Sequence, residues 1–454
     1  MSLLMLLVLL AIPVQSTVRT NVQTPGGKSP TKPYNYKFTY GSCFRHQRHY
    51  KDSDIMDRIV AEKPDSFAWL GDFAYLDIIK VFPKITFHYQ AIDVIKQKFE
   101  DSYNDPKYIP LRTSTKIYGI WDDHDSGINN SDKSNVMKEE IRQMYLDYID
   151  EPKDSLRRTR NGMYESYYLD EAKNIKLILL DNRYERDSLH DESIVFDHKT
   201  LLGAEQEQWL KNEVLSSTAQ FTIIAMGNQL LPDDRPIIET IFPKTRDMIL
   251  SLHNPRTNIL LISGDVHMAE IMEDKCSGLI HGYNIHEFTS SGLTHSVHSV
   301  LGDLSDYALD FLYPETYNTV HDRYMKENYA VIDFHIDPEN PSNSYAEVNI
   351  KDHGGKTRLH KFLTNAWFVK KPVPDIEGFR QCIRNRGPAH HRMYSNMWKK
   401  AKNWKHPAFY ILFSFAVIAF TVLRLAFKIF WWICSSLCKA ACRKRAQREK
   451  EKYQ

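Results

Sequence analysis

One pattern constrains the fold more than any other: apolar runs rich in β-formers recur along the chain, and each stops at a polar cluster. The runs occupy residues 37–43, 66–72, 116–125, 175–183, 221–229 and 258–267. Segments with helical spacing lie between some of them, as at 53–63 and 205–215. Strands that alternate with amphipathic helices predict an α/β domain. Two later runs, 329–336 and 344–350, are expected to pair as antiparallel strands.

The polar clusters stand where such a fold binds its ligands. In open α/β sheets, ligands gather outside the carboxyl ends of the strands. A single polar residue at a strand end is a routine helix cap. Six ends that all carry metal-ligand chemistry instead favour a functional site. These ends present Cys43, Asp72, Asp122, Asp123, His124, Asp181, Arg183, Asn228, Asp265 and His267.

The mixture of side chains suggests two different metal positions. Carboxylate, imidazole and amide groups suit hard or borderline cations, whereas a thiolate from Cys43 or a phenolate from Tyr75 suits a trivalent or softer ion. Asp72 could bridge the two positions. Paired ions are the usual device for attack on phosphorus, with a histidine that protonates the leaving group. Arg183 could hold a phosphate oxygen by bidentate hydrogen bonds.

The order of the motifs carries a resemblance to a known family. The motifs are GSC (41–43), GDFAY (71–75), WDDHDSG (121–127), DNR (181–183), GNQ (227–229) and SGDVHMAE (263–270). In this order they resemble the alkaline phosphatase D branch of the metallophosphatases, over about residues 37–360. The resemblance implies a four-layer αββα sandwich over a dinuclear site, within a domain expected at 37–370. It also implies cleavage of phosphate monoesters and diesters.

The same resemblance implies which residues bind the ions. One ion would take Cys43, Asp72, Tyr75 and His267, an arrangement that is also similar to purple acid phosphatases, where a tyrosinate binds ferric iron. The second would take the bridging Asp72 with Asp123, Asn228 and Asp265. The expected cofactors are Fe3+ with Ca2+ or another divalent cation (Zn2+, Mn2+ or Mg2+).

The catalytic and supporting roles are carried over in the same way. His124 falls where the leaving-group acid belongs, and Arg183 falls where the substrate phosphate is held. Asp122 and Asp125 are interpreted as supports: Asp125 orients His124 or caps the next segment, and Asp122 holds the loop by backbone hydrogen bonds. The family commonly has Asn-Asp after this segment, whereas this chain has Asn129-Asn130, which begins a glycosylation sequon.

The two termini predict entry into the secretory pathway and a membrane anchor. Residues 1–16 read as a cleaved signal peptide and 17–36 as a linker. A stalk at 371–406, a transmembrane helix at 407–433 and a basic cytoplasmic tail at 434–454 follow the domain. An amphipathic helix lying in the membrane plane is the alternative to the transmembrane helix. The expected location is a type I membrane protein with its body extracellular or lumenal.

Charge and cysteines agree with that organisation. From Lys399 onward the chain has 13 Lys and Arg against 2 Asp and Glu, so a balance of +11 in the tail leaves −9 for residues 1–398. An acidic body argues against a nucleic-acid-binding module. Cys276 and Cys382 could pair. The cysteines spaced every four residues at the membrane edge are palmitoylation candidates or ordinary helix residues: Cys434, Cys438 and Cys442.

The sequence therefore predicts a membrane-anchored, metal-dependent phosphoesterase. Two alternatives stay open. One is a phosphodiesterase that acts on lipid or glycolipid head groups, which an anchor would hold near its substrate. The other is a catalytically inactive binding module on the same fold, against which the complete set of ligand positions argues.

Overall fold

The computed structural model describes residues 32–46, 55–80, 85–189, 191, 193–194, 198–234, 242–364 and 373–386. These residues fall into two compact units. The larger unit contains the described residues up to Asp233, those from 242 to Asp306, and Glu315–Arg386. It carries every candidate metal ligand and catalytic residue. The smaller unit contributes Asp234 and Tyr307–Pro314.

Each of the predicted β-runs contains a strand. In chain order the strands are β1 Tyr34–Gly41, β2 Ser66–Leu70, β3 Ile78–Lys80, β4 Thr86–His88, β5 Lys116–Ile120, β6 Glu165–Tyr168, β7 Ile175–Leu180, β8 Phe221–Met226, β9 Asn258–Ser263, β10 Ala269–Asp274, β11 Ile285–Ser290, β12 Arg323–Tyr324, β13 Asn328–Ile336, β14 Tyr345–Asp352 and β15 Thr357–Thr364. Buried β-branched and leucine side chains dominate β7, β8 and β9, as expected for strands covered on both faces.

The strands build two large sheets and a small hairpin. The first sheet has the order β15-β14-β13-β1-β2-β5 and the second has the order β12-β10-β11-β9-β8-β7-β6. Strands β1, β2 and β5 are parallel, as are β7, β8, β9 and β11. The predicted antiparallel pair at 329–336 and 344–350 is present as β13 and β14. Strands β3 and β4 pair only with each other among the described residues.

Helices connect the parallel strands. They are α1 Ile55–Ala61, α2 Ile92–Tyr103, α3 Tyr108–Ser114, α4 Lys138–Tyr148, α5 Gly203–Ser216, α6 Pro243–Leu250, α7 Gly278–His281, α8 Val297–Leu301, α9 Leu304–Leu312 and α10 Ile376–Asn385, with short 3-10 turns at Leu156–Arg158, Val320–Asp322 and Pro341–Asn343. The helices predicted at 53–63 and 205–215 correspond to α1 and α5. Helices α8 and α9 lie in the stretch 295–322, for which the sequence offered no motif.

Alternation along the strands of the second sheet separates two apolar cores. In β7, Leu177 and Leu179 join a core shared with β1, β2 and β13, whereas Ile178 and Leu180 join a second core. The second core is completed by residues of α5, α6, α7 and α10. A strand with a side-chain period of two can serve both cores at once. The result is a mixed α/β fold in which the central strands β7, β8 and β9 of the second sheet have an apolar core on each face.

The expected features near the termini have different outcomes. The described part of the chain contains no helix that is long and apolar enough to cross a membrane. The predicted signal peptide (1–16), transmembrane helix (407–433), basic tail (434–454) and candidate palmitoylation cysteines Cys434, Cys438 and Cys442 lie outside the described residues. Cys276 and Cys382 form a disulfide with a Cα–Cα distance of 5.7 Å, which joins the residues before α7 to α10.

Candidate active site

Four candidate ligands have a backbone conformation that residues other than glycine rarely adopt. The φ angle is 62° at Cys43, 54° at Asp72, 73° at Asp265 and 56° at His267. They lie two to four residues beyond the ends of β1, β2 and β9. Such conformations are costly and persist where the surroundings enforce them, most often at functional sites. Backbone strain thus marks the same strand ends that the sequence singled out.

Three of the four residues expected at the first metal position come together. Sγ of Cys43, a carboxylate oxygen of Asp72 and a ring nitrogen of His267 all lie within 4.8 Å of one another. The Cys43 thiol is fully buried and its Sγ is 3.0 Å from Oγ of Ser291. The same Ser291 oxygen accepts the backbone N–H of His267 at 2.8 Å. Ser291, just beyond β11, therefore joins the Cys43 and His267 loops.

Tyr75 reaches this group through its hydroxyl. Its Oη lies 3.0 Å from Nε2 of His267 and 2.9 Å from Nε2 of His295. Burial, and next the negative charges of Asp72 and Cys43, raise the pKa of Tyr75 well above its ordinary value. A nearby cation would oppose these effects and favour the phenolate. The position of Tyr75 is therefore compatible with the ligand role expected for it.

Two more groups of acidic side chains continue from the first. One consists of Asp72, Asp123 and His124, and the other of Asp122, Asp123 and Asp265; in each, one potential ligand atom per residue lies within 4.8 Å of the others. Asp72 belongs to two groups and Asp123 to two. A continuous row of ligand atoms results, with Asp72 at the point where the two expected metal positions meet.

Two glycines allow Asp122 to enter this row. A Cβ atom at Gly71, whose φ is +79°, would lie 2.3 Å from Cβ of Asp122. A Cβ atom at Gly227 would lie 2.6 Å from Cγ of Asp122. Only residues without a side chain fit at these two strand ends. The glycines of the GDFAY and GNQ motifs therefore make room for a carboxylate that arrives from β5.

Asn182 links the two sheets at the site. Its Nδ2 donates to Oδ1 of Asp122 at 2.9 Å and to Oδ1 of Asn228 at 2.8 Å. Asn228 is completely buried, and its oxygen points to the same amide that supports Asp122. A carbonyl oxygen has two lone pairs, so this hydrogen bond leaves Asn228 able to bind a cation as well.

Arg183 has an environment that differs from the one expected of a phosphate-binding residue. It is 1% exposed, and its Nε donates to Oδ1 of Asp122. Its Nη1 lies 3.5 Å from the carbonyl oxygen of Ser131. The geometry favours a role in which the guanidinium balances the charge of Asp122. Its contact with substrate stays a prediction.

His124 is held by a carboxylate that sequence reasoning missed. Nδ1 of His124 lies 3.0 Å from Oδ1 of Asp77, while Oδ2 of Asp77 accepts the backbone N–H of Asn129 at 3.1 Å. The ring packs against Tyr75 with a centroid distance of 4.3 Å. A carboxylate at Nδ1 fixes the orientation of the imidazole and directs Nε2 away from Asp77. The signal in the sequence was Asp77 itself, five residues after Asp72.

Asp122 holds the loop through its backbone, as expected, since its carbonyl accepts the N–H of Ser126 at 3.0 Å, whereas the contacts of Asp125 differ from those expected. The carboxylate of Asp125 accepts the backbone N–H groups of Ala74 at 2.8 Å and Asp122 at 3.1 Å, and so ties two strand ends together. Asp77, not Asp125, orients His124. Asp122 accepts from the side chains of Asn182 and Arg183, because its carboxylate points across to the second sheet.

The loop from 123 to 130 also wraps around a carboxylate. Asp123 accepts the backbone N–H groups of His124 and Asn130, both at 2.8 Å. Asn130, which stands where the family commonly has an acid, has a φ of 60°. Its contribution here is the backbone N–H, so the missing carboxylate does not prevent the loop from closing on Asp123.

The acidic groups crowd one another when no cation is present. Burial, and next the charges of Asp123 and Asp122, raise the pKa of Asp72 to about 7, although His124 opposes them. Burial also raises the pKa of Asp122, which Arg183 opposes. At His124 burial acts in the other direction, but the charges of Asp123 and Asp72 raise its pKa to about 10. Negative charge therefore dominates the site.

The described side chains fit a pair of cations. Oδ1 of Asp72 and Oδ2 of Asp122 are buried, and no described residue donates a hydrogen bond to either. Buried carboxylate oxygens without donors are unfavourable unless a cation satisfies them. A thiol, an imidazole and carboxylates within reach of one another are also the usual ligand chemistry of transition metals, with carboxylates and an amide suited to harder ions.

Histidines near Cys43 and after β11 have different environments. His295 is buried and contacts Tyr75, so it lies at the site. Nε2 of His46 lies 3.9 Å from Asp101, and the backbone N–H of His298 donates to the carbonyl of Met325. His49 lies outside the described residues.

The chain matches one protein family and is similar to a curated relative. A sequence model for the family described as PhoD-like phosphatase matches residues 38–334. Alkaline phosphatase D of Bacillus subtilis (strain 168) is 22% identical over 403 residues, which cover 75% of this chain and 63% of that protein. The chain thus spans less than two thirds of the length of this curated relative.

Solved structures give a likeness of the fold. A structure of PhoD is similar over 82% of this chain and 79% of its own, with a TM-score of 0.51 and 16% sequence identity. A structure of GAP50, the anchor in the inner membrane complex of Plasmodium, is similar over 78% of this chain and 96% of its own, with a TM-score of 0.38 and 12% identity.

Proposed function

Because the chain belongs to the PhoD-like phosphatase family, we propose that it is a metal-dependent phosphoesterase that hydrolyses phosphate monoesters or diesters. The observation that carries the proposal is the row of potential ligand atoms from Cys43 through Asp72 and Asp123 to Asp265. An inactive binding module would have no need of this complete set. The full fold is proposed to be a four-layer αββα sandwich, which the two cores of the second sheet support.

The metal positions follow the groups of side chains. We assign Cys43, Asp72, Tyr75 and His267 to one ion, and Asp72, Asp123, Asn228 and Asp265 to the other. The thiol and phenol favour Fe3+ at the first position, and the carboxylates and amide favour Ca2+ or another divalent cation at the second. When bound, such ions polarise the phosphorus–oxygen bonds and lower the pKa of water.

The protein's own groups would position the substrate and move one proton. Nε2 of His124 is proposed to donate a proton to the leaving oxygen, and Asp77 holds the ring for that transfer. Arg183 and Asn182 keep Asp122 in place beside Asp123 and Asp265 of the second position. Burial of these groups keeps water out, which strengthens each electrostatic contact.

The experiment that tests the function combines metal analysis with turnover. The purified protein is expected to contain one to two ions per chain, by analogy with two-ion sites, and to hydrolyse an aryl phosphate or a bis-aryl phosphate. Less than about one ion per chain together with no turnover of either substrate would contradict the proposal.

A secretory location and a membrane anchor belong to the same proposal. The disulfide between Cys276 and Cys382 supports an oxidising compartment, because such bonds are rare in the cytosol. The apolar run in 407–433 supports the anchor. Truncation after Lys405 should release a soluble protein, whereas continued membrane attachment of the truncated chain would refute the anchor.

One observation favours substrates with an apolar leaving group, including lipid head-group esters. Ile78 and Ile79, directly after Asp77, are 41% and 42% exposed. On the paired strand β4, the ring of Phe87 lies 6.1 Å from that of His124. An apolar surface beside the proposed proton donor would suit an acyl or aryl group. Ile79→Asn should raise KM for a long-chain ester more than for a short one, and equal effects would exclude this variant of the function.

A further inference from the structure

Arg45 lies at the edge of the first metal group and has no assigned role. It follows Cys43 by two residues, and its guanidinium carbon lies 4.0 Å from the centroid of the Tyr75 ring. The same ring carries the hydroxyl that contacts His267. The side chain is half-buried, and its Nε is buried without a hydrogen-bond acceptor among the described residues.

The contacts of Arg45 differ from those of the buried arginines. Arg157 pairs with Glu151 at 2.9 Å, and Arg183 pairs with Asp122. No carboxylate of the described residues forms an ion pair with Arg45, although acidic side chains dominate the nearby site. Among the described residues, therefore, no carboxylate neutralises the charge of Arg45 in an ion pair.

The backbone of Arg45 is fixed firmly. Its N–H donates to Oγ1 of Thr294 at 2.7 Å, and the Thr294 hydroxyl in turn donates to the carbonyl of Cys43 at 3.2 Å. Tyr75, over which the guanidinium stacks, is itself held by His267 and His295. Stacking on a ring restrains the plane of a guanidinium but leaves the N–H groups at its edge available as donors.

We propose that Arg45 is a substrate-binding residue that donates hydrogen bonds to the non-bridging oxygens of the substrate's phosphoryl group. This inference rests on the proposed function and gives the phosphate contact to Arg45, at the edge of the site, where the sequence had suggested the buried Arg183. A planar guanidinium matches two phosphate oxygens at once, so the contact is charge-assisted and directional. The positive charge of Arg45 also reduces the repulsion between the carboxylates of the site and an incoming phosphate.

The test measures phosphate binding separately from turnover, in the full-length, metal-loaded protein. The variants are Arg45→Gln, which removes the charge, and Arg45→Lys, which keeps the charge but loses the paired N–H donors of the guanidinium. Calorimetric titration with inorganic phosphate should show a Kd increased about 10- to 100-fold in Arg45→Gln and by a smaller factor in Arg45→Lys. The metal content per chain should equal that of the unmodified protein in both.

Arg112 offers a matched control. It is also half-buried and stacks on a tyrosine, with its guanidinium carbon 3.9 Å from the centroid of the Tyr103 ring, but its contacts are with Tyr103 in α2 and not with the site. Arg112→Gln should leave the Kd for phosphate unchanged. If Arg45→Gln is unstable in thermal unfolding, the comparison of Arg45→Lys with Arg112→Lys replaces it.

The outcomes separate this inference from the proposed function. An unchanged Kd for phosphate in Arg45→Gln overturns the inference, even if the unmodified protein hydrolyses phosphate esters. Loss of metal in Arg45→Gln also overturns it, since Arg45 would then act by supporting Tyr75. If the unmodified protein binds phosphate but turns over neither aryl ester, the proposed function fails, while a raised Kd in Arg45→Gln would still support the contact.

Discussion

The middle of each parallel strand and the residues just past its end differ sharply. In β2 all five residues are buried, and Phe67, Trp69 and Leu70 pack in the main core. Two residues further on, Asp72 is also buried but carries a carboxylate, a positive φ and an oxygen to which no described residue donates. The same contrast separates the interior of β9 from Asp265, whose φ is 73°.

The two kinds of position have opposite effects on folding: strand interiors stabilise the fold, and the residues past the strand ends provide the chemistry. Apolar side chains in the strand interiors remove surface from water and favour folding. Buried carboxylates and left-handed backbone oppose folding unless a ligand compensates them. Substitutions in the strand interiors should therefore change stability, whereas substitutions at the strand ends should change activity.

Asp72→Asn should give the largest effect, because this side chain belongs to two ligand groups. Turnover should fall by roughly 10³-fold or more, with loss of bound metal. In the metal-free protein the same substitution should raise the free energy of unfolding by about 1–3 kcal/mol, since it removes one of several crowded acids. Metal analysis and denaturant unfolding check both parts. Lower stability of the metal-free variant would break the comparison.

His124→Ala should lower turnover of esters with poor leaving groups by about 10²–10⁴ and affect good leaving groups much less. Bound metal should persist, because His124 is assigned to proton transfer. The test is sharp, since a ring nitrogen of His124 also lies within 4.8 Å of ligand atoms of Asp72 and Asp123. Loss of metal would show that His124 is a ligand and not the acid.

Ile332→Ala tests a strand interior, in contrast to the substitutions of Asp72 and His124 past the strand ends. Ile332 is completely buried in β13, between Phe38 and Val348 on the neighbouring strands. The free energy of unfolding should fall by about 2–5 kcal/mol, because the lost methyl groups leave a cavity. Turnover per folded molecule should not change. A fall in kcat measured well below the unfolding transition would mean that the two regions are coupled.

Asp77→Asn tests the contact between the carboxylate of Asp77 and the ring of His124. The asparagine keeps an oxygen near His124 but loses the charge that orients its ring and helps to raise its pKa. We expect kcat to fall about 10- to 100-fold, with KM and metal content unchanged. The pH dependence of kcat should also shift relative to the unmodified protein. An unchanged pH profile would reduce Asp77 to a support for the backbone of Asn129.

The smallest effect concerns a buried histidine in β11. Burial, and next the charge of Lys361, lower the pKa of His286 from 6.5 to about 4. The unfolded chain then binds a proton that the folded chain does not, so the free energy of unfolding should decrease as the pH falls from 6.5 to about 4. His286→Phe should reduce that decrease by roughly 1–3 kcal/mol in acid denaturation. Equal pH dependence of both proteins would exclude this contribution.

Much of the fold was readable from the sequence because its signals are local. An apolar run bounded by a polar cluster predicts a strand whatever its neighbours, and the runs at 175–183, 221–229 and 258–267 became the parallel strands β7, β8 and β9. Short edge strands such as β6 and β12 were missed, because a few residues without a buried alternation carry little signal. The resemblance implied two sheets, but the sequence did not predict which strands join each sheet or in what order, since strand order depends on contacts between distant segments.

The sequence by itself determined the chemistry at the strand ends, because residue type decides whether a side chain can bind a cation or carry a proton. The candidate ligands Cys43, Asp72, Asp123, Asn228, Asp265 and His267 were all identified in this way. The hydrogen-bond partners of these side chains, in contrast, follow from the packing of the two sheets. Asp77 lies 47 positions from His124, and Asn182 lies 60 from Asp122, yet both pairs are in hydrogen-bond contact. Likewise, it was the tertiary structure that buried Arg183 against Asp122 and stacked Arg45 on Tyr75. Contacts of this kind depend on how two sheets pack, and no local pattern in the sequence records that packing.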